Sequence, residues 1–490
     1  MNIRNLFAPT ARPFPEAAVP EVVFDENPQW VKLYGTAWRL AWEHVYESPA
    51  MPVSPYMGEG CATNKVWIWD SCFMALFCRY AAAVFPGIET LDNFYRIMYD
   101  HEKSGIFIHH ADNPPLFAWA EEQHYRFTGD RARLERVMLE KRYLERHYDW
   151  LEKLDCRGQR PAFSSSFVCW RKEPGGYRWS GCPSGMDNTP RGRDVYDGIY
   201  WVDALAQQGL AALCIARLAE EVGDEKCVRR FRVEYEAKKE LMQHYWEPAY
   251  GAFMDRLASG DGFCPVLTPA SYWPLLAEMA TPEQAESMAG LLSAADKLGG
   301  AVPCPSVARD DPDFEEDGRY WRGGVWLPAA YMVIKGLEKY GKFELASRLA
   351  AQLLGHMAGT FARFEPHTIW ECYNPVEPKP ALNKMKNIVR RDFCGWSALG
   401  PIALLIENVI GIHEVSASDG TVHWRVAGPS RRGIRNLRFG EYRVDLIAGA
   451  GMVKIVAGKE FRLILNGRVV RCPAGESVVP CPEPQMNGEP

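Results

Sequence analysis

The chain has 490 residues, 47% of them hydrophobic and 24% charged, with a formal charge of −6. That composition builds a large buried core and excludes a disordered chain. The slight acidic balance argues against nucleic acid or an anionic membrane as main partner, because phosphate binding draws on concentrated Lys and Arg.

Residues 1–26 are Pro-rich and read as an irregular arm lying on the body. They hold no apolar leader segment, and no later run is expected to reach the length of a membrane span, so a cytoplasmic location is expected. Helical signals dominate from residue 28. In PQWVKLYGTAWRLAWEHVY (28–46), Trp30, Leu33, Tyr34, Trp38, Leu40, Ala41 and Val45 recur mostly three or four residues apart, which predicts a helix with one buried face. Similar patterns follow at roughly 67–84, 87–100, 115–128, 130–154, 198–222, 224–246, 270–280, 281–296, 324–340, 342–358 and 394–411, about twelve helices in all.

Three junctions look alike: FTGDRARLERV (127–137), EVGDEKCVRRF (221–231) and KYGKFELASRL (339–349). Each places a glycine (129, 223, 341) just past one helical pattern and just before another, as a left-handed cap closing one helix beside an antiparallel neighbour. Repeated helical hairpins mean a solenoid or a closed toroid, and these repeats are too irregular for a solenoid. The connections 156–197, 297–323 and 359–393 are longer than hairpin turns require and carry Trp, Tyr and carboxylates, so they are expected to converge on one end of the helical body. From about residue 420 apolar and polar residues alternate with Gly at the turns, which predicts a small antiparallel sheet or sandwich. The expected organisation is an arm (1–26), a helical domain (27–415), a β domain (416–482) and a tail (483–490).

Fourteen cysteines are scattered without CxxC spacing. Neither a zinc site nor a disulfide framework is expected, and a reducing compartment is the simplest reading. His109 and His110 lack further ligand spacing, so no metal and no cofactor are expected, and an acidic loop over 310–317 reads as solvated rather than calcium-binding.

The chemistry is concentrated in five stretches: WIWDSCF (67–73), SGMDNTPR (184–191), RYWRGGVWLPAAY (319–331), TIWECYNP (368–375) and DFCGWSAL (392–399). An acid against a Trp face has its pKa raised by desolvation, whereas one among Arg and amide donors stays ionised, and a pair held apart in this way performs the acid and base work of glycoside hydrolysis. In order and content the five resemble the glycosidases of glycoside hydrolase family 63, with the mannosylglycerate and glucosylglycerate hydrolases and, more distantly, the trehalases; the resemblance runs from about 30 to 412.

The resemblance implies a mainly α fold, an (α/α)6 toroid or six-hairpin barrel followed by the small antiparallel β domain. It implies Asp187 as general acid and Glu371 as general base of an inverting hydrolase acting on a short α-linked glucoside or mannoside. It also implies that Trp69 and Asp70 line the sugar subsite and that Tyr320, Trp321 and Arg322 approach it. Asn188, Trp326, Tyr373 and Trp396 belong to the same motifs and are further candidates for substrate contact. Trp119, early in a predicted helix, serves either the core or a sugar. Arg191 and Arg193 either hold a carboxylate-bearing aglycone or pair with Asp194 and Asp197. Pro183, Gly324 and the stretch NPVEPKP depart from the family pattern and bear on substrate identity. The expected partner is a small oligosaccharide or glycoside, not nucleic acid or a membrane. Two other functions stay open: a non-catalytic carbohydrate-binding toroid, and a sugar epimerase using His as acid and base on the same barrel.

Overall fold

The computed structural model describes residues 7–60, 65–154, 160–193, 195, 198–260 and 262–483. Helices α1 (Pro28–Glu43), α2 (Ile68–Cys78), α3 (Glu89–Tyr99), α4 (Phe117–Thr128), α5 (Arg131–Glu135), α6 (Tyr143–Lys153), α7 (Val202–Val222), α8 (Glu225–Met242), α9 (Trp273–Leu276), α10 (Pro282–Leu291), α11 (Leu327–Glu338) and α12 (Phe343–Arg363) are followed by a 3-10 turn, Trp396–Leu399, that runs into a π-helix, Gly400–Ile410. Packing sorts them into two layers. α2, α4, α7, α9, α11 and the Trp396–Leu399 turn each touch the next, and the turn touches α2 again, so the inner elements form a closed cycle. Outside it, α3 lies on α2, α8 on α7, and α12 on α11 and the π-helix, with α1 against α12 and the π-helix.

Sequence explains the layering. α7 (VDALAQQGLAALCIARLAEEV) is buried on nearly all sides, as an inner helix must be, whereas α8 (EKCVRRFRVEYEAKKELM) buries only Cys227, Phe231, Tyr235, Lys238 and Met242, a single stripe at helical spacing. By length and composition α7 would cross a membrane, contrary to the sequence expectation that no run would, but 89% of its apolar window is buried within the protein. The three junction glycines are left-handed, with φ of 65°, 74° and 69°. Asp130 and Asp224 cap the helices that follow two of them by accepting from the Arg133 and Cys227 amides, both at 3.0 Å.

The sequence predicts one helix over 130–154, but the chain breaks there into α5, a π-turn (Arg136–Glu140) and α6, with Arg142 left-handed at φ 52°. Arg133 is drawn inward at the break, where Asp92 and Glu121 hold its guanidinium. No Gly or Pro marks this break.

The β region differs from expectation in three respects. Its first strand, Ile412–Ser416, begins inside the predicted helical domain. Thr421–Trp424 pairs in parallel with Phe461–Leu465, so the four-stranded sheet is mixed rather than antiparallel. In the five-stranded sheet, Arg432–Phe439 pairs with Glu21–Phe24, so the arm is not irregular throughout but supplies an edge strand. An unpaired edge leaves backbone donors and acceptors exposed, and Val22, Val23 and Phe24 cover that edge while burying their own side chains.

Candidate active site

The inner helices α2, α7 and α11 and the Trp396–Leu399 turn begin at one end of the cycle, where the long connections meet. Asp187 stands there on a loop set by its glycines. Gly185 has φ 84°, and a Cβ on it would lie 3.1 Å from the Trp69 ring, so the loop seats directly on that indole. A Cβ on Gly181 would strike the Asp187 carbonyl at 2.7 Å. Asn188 ties the loop to the neighbouring segment: its Nδ2 donates to the Arg319 carbonyl at 2.9 Å and its Oδ1 accepts from the Trp321 amide at 2.9 Å. From the other side, Asn113 Nδ2 donates to the Pro183 carbonyl at 2.7 Å. The Asp187 carboxyl, 31% exposed, accepts from Lys384 Nζ at 2.5 Å.

Glu371 is held in a drier setting. Tyr373 bridges to Val325 and Pro380, the Glu371 amide donates to the Arg390 carbonyl at 2.9 Å, and Trp396 Nε1 and Ser397 Oγ donate to the Glu371 carbonyl at 3.3 and 3.1 Å. Its carboxylate, 3% exposed, accepts from Tyr320 Oη at 2.9 Å and from the Arg390 amide at 3.3 Å, with Arg390 Nη1 at 3.6 Å. Burial raises the Glu371 pKa above the ordinary value, opposed by Arg390 and the Tyr320 hydroxyl. Tyr320 is left-handed at φ 66°, and burial beside Glu371 raises its own pKa, which keeps the phenol a neutral donor.

Asp187 and Glu371 line one cavity of about 180 Å³, together with Glu59, Trp69, Asp70, His110, Asn113, Tyr320, Trp321, Arg390 and Trp396. Five buried polar atoms on its wall make no hydrogen bond among the described residues: Trp69 Nε1, His110 Nδ1, Asn113 Oδ1, Asp70 Oδ1 and Glu59 Oε1. The last two belong to adjoining carboxyls that can bond only by sharing a proton. Burial and then the Glu59 charge push Asp70 well above the carboxylate range, so that proton is held. His109 and His110 are both pushed down to about 4, chiefly by burial, and His109 Nδ1 meets the Ser165 and Ser166 hydroxyls at 2.8 and 2.9 Å. Among the described residues no group of three or more His, Cys, Asp and Glu side chains is arranged to hold a metal ion.

Of the residues singled out from sequence, Trp69, Asp70, Asp187, Tyr320, Trp321, Glu371 and Trp396 line this cavity, and Trp119, Asn188, Arg191, Arg322, Trp326 and Tyr373 do not. Trp326 stacks on the far side of Trp321, centroids 4.2 Å apart, and Tyr373 is buried with its hydroxyl accepting from the Trp370 amide. Trp119 packs deeper, between Phe73, Trp273 and Tyr331. Arg191 is a core residue 1% exposed, bidentate to both Asp203 and Asp255 and 4.2 Å over the Trp201 ring. Asp194 and Asp197, its expected partners, lie outside the described residues. Nor is the acidic loop free in solvent: Arg193 pairs with Asp311 and Asp313, Arg322 with Asp313, and Lys297 with Asp310. Sequence reasoning missed Glu59, Asn113, Lys384 and Arg390. The lone acid of GEG (58–60), just ahead of the WIWDSCF helix, is a signal that could have flagged Glu59; Lys384 carries none.

The family model for the mannosylglycerate hydrolase MGH1-like glycoside hydrolase domain matches residues 63–384. An uncharacterized protein of Borreliella burgdorferi is 26% identical over 417 residues, covering 81% of this chain and 82% of that protein. The mannosylglycerate hydrolase of Thermus thermophilus is 33% identical over 174 residues, which span 35% of this chain and 37% of the hydrolase. A crystal structure of GH63 mannosylglycerate hydrolase from Thermus thermophilus shares the fold, with a TM-score of 0.54 and 21% identity, covering 76% of this chain and 99% of that one. With more than half its length matched by the family model, the chain belongs to the MGH1-like glycoside hydrolases, glycosidases of the GH63 type.

Proposed function

We propose that the chain is an inverting hydrolase of a short α-linked glucoside or mannoside, with Asp187 as general acid and Glu371 as general base. The observation that carries this reading is the cavity wall, where Asp187, Glu371 and three unpartnered buried polar atoms, Trp69 Nε1, His110 Nδ1 and Asn113 Oδ1, surround a space the size of one sugar ring. Buried polar groups without partners are costly, and a ring of hydroxyls satisfies them. The closed cycle of inner helices supports reading the helical domain as an (α/α)6 toroid. All twelve described cysteines are free thiols, which supports a reducing compartment such as the cytoplasm.

In this mechanism the protonated Asp187 carboxyl donates to the leaving oxygen while ionised Glu371 takes a proton from water attacking the opposite sugar face, the two carboxyls standing roughly 6.5–9.5 Å apart. Lys384 must leave the Asp187 carboxylate before that acid can hold its proton. The Tyr320 hydroxyl and Arg390 favour the ionised form of Glu371 that a base needs.

One observation favours a second reading. Burial raises the pKa of Glu371, which suits the reverse assignment, Glu371 as acid. A glycosyl fluoride separates the two, because fluoride leaves without protonation. Asp187→Asn is expected to keep turnover of the α-glycosyl fluoride while losing the O-glycoside, and Glu371→Gln to lose both; the opposite pattern exchanges the roles. A β-configured first product from an α-substrate, followed by NMR, is expected for inversion, and an α-configured one refutes it.

A further inference from the structure

A second cavity, about 490 Å³, lies where α4, α7 and α11 end, closed on one side by the first strand of the β region at Ile412–Val415. Its floor is Trp119 and Tyr331. Trp119 packs on Trp273 at 6.2 Å, and Trp273 on Trp69 at 6.3 Å, so three indoles separate this space from the cavity of Asp187 and Glu371.

The space is too large and too polar to be a packing defect. Protein interiors leave few voids larger than a water molecule, and ligand pockets occupy about 300–1,000 Å³. Buried ion pairs seldom stabilise a fold better than apolar residues of the same volume would, yet this wall is built from them. Arg79 pairs with Glu407 at 2.8 Å, Lys335 with Glu407 at 2.6 Å and with Glu338 at 2.9 Å. Arg79 Nε is buried and makes no hydrogen bond among the described residues.

The geometry points to a second binding site for a neutral carbohydrate of one or two rings. Five basic and five acidic side chains line the space, so it offers no net charge to an ionic ligand. The three helices turn their C-terminal carbonyl ends toward it, and the basic residues offset those dipoles rather than attracting an anion. What remains is a wall of paired carboxylates and guanidinium groups able to bond vicinal hydroxyls, over a floor of buried aromatic rings. The inference does not depend on the acid and base roles above.

The test is calorimetric titration of the full chain with glucose, mannose and trehalose, with glucose 6-phosphate as the charged comparison. Titrations of trehalose use the inactive Glu371→Gln chain. Two bound molecules per chain are expected, one of them insensitive to Asp70→Asn. Gln123→Trp, which fills the far cavity, is expected to weaken that second binding at least tenfold while the first stays. Glu221→Trp narrows the exposed rim and gives the same result if Gln123→Trp fails to fold. One molecule per chain, or a second binding unmoved by either folded variant, overturns the site. Tighter binding of glucose 6-phosphate than of glucose at the second site overturns the neutral ligand.

Discussion

The loop bearing Asp187 and the segment bearing Glu371 face one cavity but are built on different footings. Asp187 has rigid backbone beneath it, in Gly181, Gly185 and the Asn188 amide, while the partner of its carboxyl is Lys384, a 41% exposed side chain on a hairpin tip. Glu371 takes its partners largely from the backbone and from buried groups: the Arg390 amide, the Tyr320 hydroxyl and, through its carbonyl, the buried Trp396 and Ser397. A carboxyl whose partners are part of the scaffold has its charge state set when the chain folds. One whose partner sits on an exposed tip can exchange that partner when a ligand arrives, as an acid that must hold a proton for its substrate requires.

The sharpest way to break this comparison is to remove each carboxyl. Asp187→Asn and Glu371→Gln are each expected to lower kcat for the natural glycoside by about 10²–10⁴-fold with an unchanged circular dichroism spectrum, and near-normal turnover in either refutes its role. Next in size is the footing of the acid loop. Arg191→Met leaves Asp203 and Asp255 buried without their cation and is expected to cost about 3–5 kcal/mol, read as a lower urea midpoint.

Tyr320→Phe sharpens the comparison on the Glu371 side. A hydrogen bond to a charged group contributes about 1.5–3 kcal/mol, so its loss is expected to move the acid limb of the rate profile upward by roughly one to two pH units. The sign follows from the base needing its ionised form: Glu371 already lies above the ordinary glutamate value, and losing a donor to the carboxylate raises it further. In the unmodified enzyme the acid limb is accordingly expected above that of an ordinary glutamate, and a limb at or below it contradicts the geometry. Smallest is Lys384→Met. Exposed ion pairs contribute about 0.2–1 kcal/mol, so kcat/KM for an uncharged aglycone is expected to rise by no more than about fivefold, and a hundredfold loss would make Lys384 part of the chemistry instead.

Much of the helical body was legible because an amphipathic helix writes its buried stripe into three- and four-residue spacing, as in Cys227, Phe231, Tyr235, Lys238 and Met242. The arm's strand was not. Glu21–Phe24 offers four residues of pattern, and its partner strand begins 408 positions further on, at Arg432. Within the site, motif membership located the segments but did not sort their residues. Trp321 and Trp326 belong to one motif and stack on each other, yet one faces the cavity and the other its backing. Arg191, next to the acid loop's proline, turned inward to Asp203 and Asp255, and nothing local to SGMDNTPR announces partners 12 and 64 positions away.

By itself the amino-acid order determined most of the segments that become helices, where glycines end them, and which short stretches carry the acids, because backbone preference and side-chain periodicity act over a few residues. Tertiary structure alone decided that Asp187 and Glu371 share a wall, that Lys384 reaches one and Tyr320 the other, and that three indoles divide the interior into two spaces. Those outcomes depend on burial and on distances between groups remote in the chain, and desolvation and charge pairing exist only once the helices have closed their cycle.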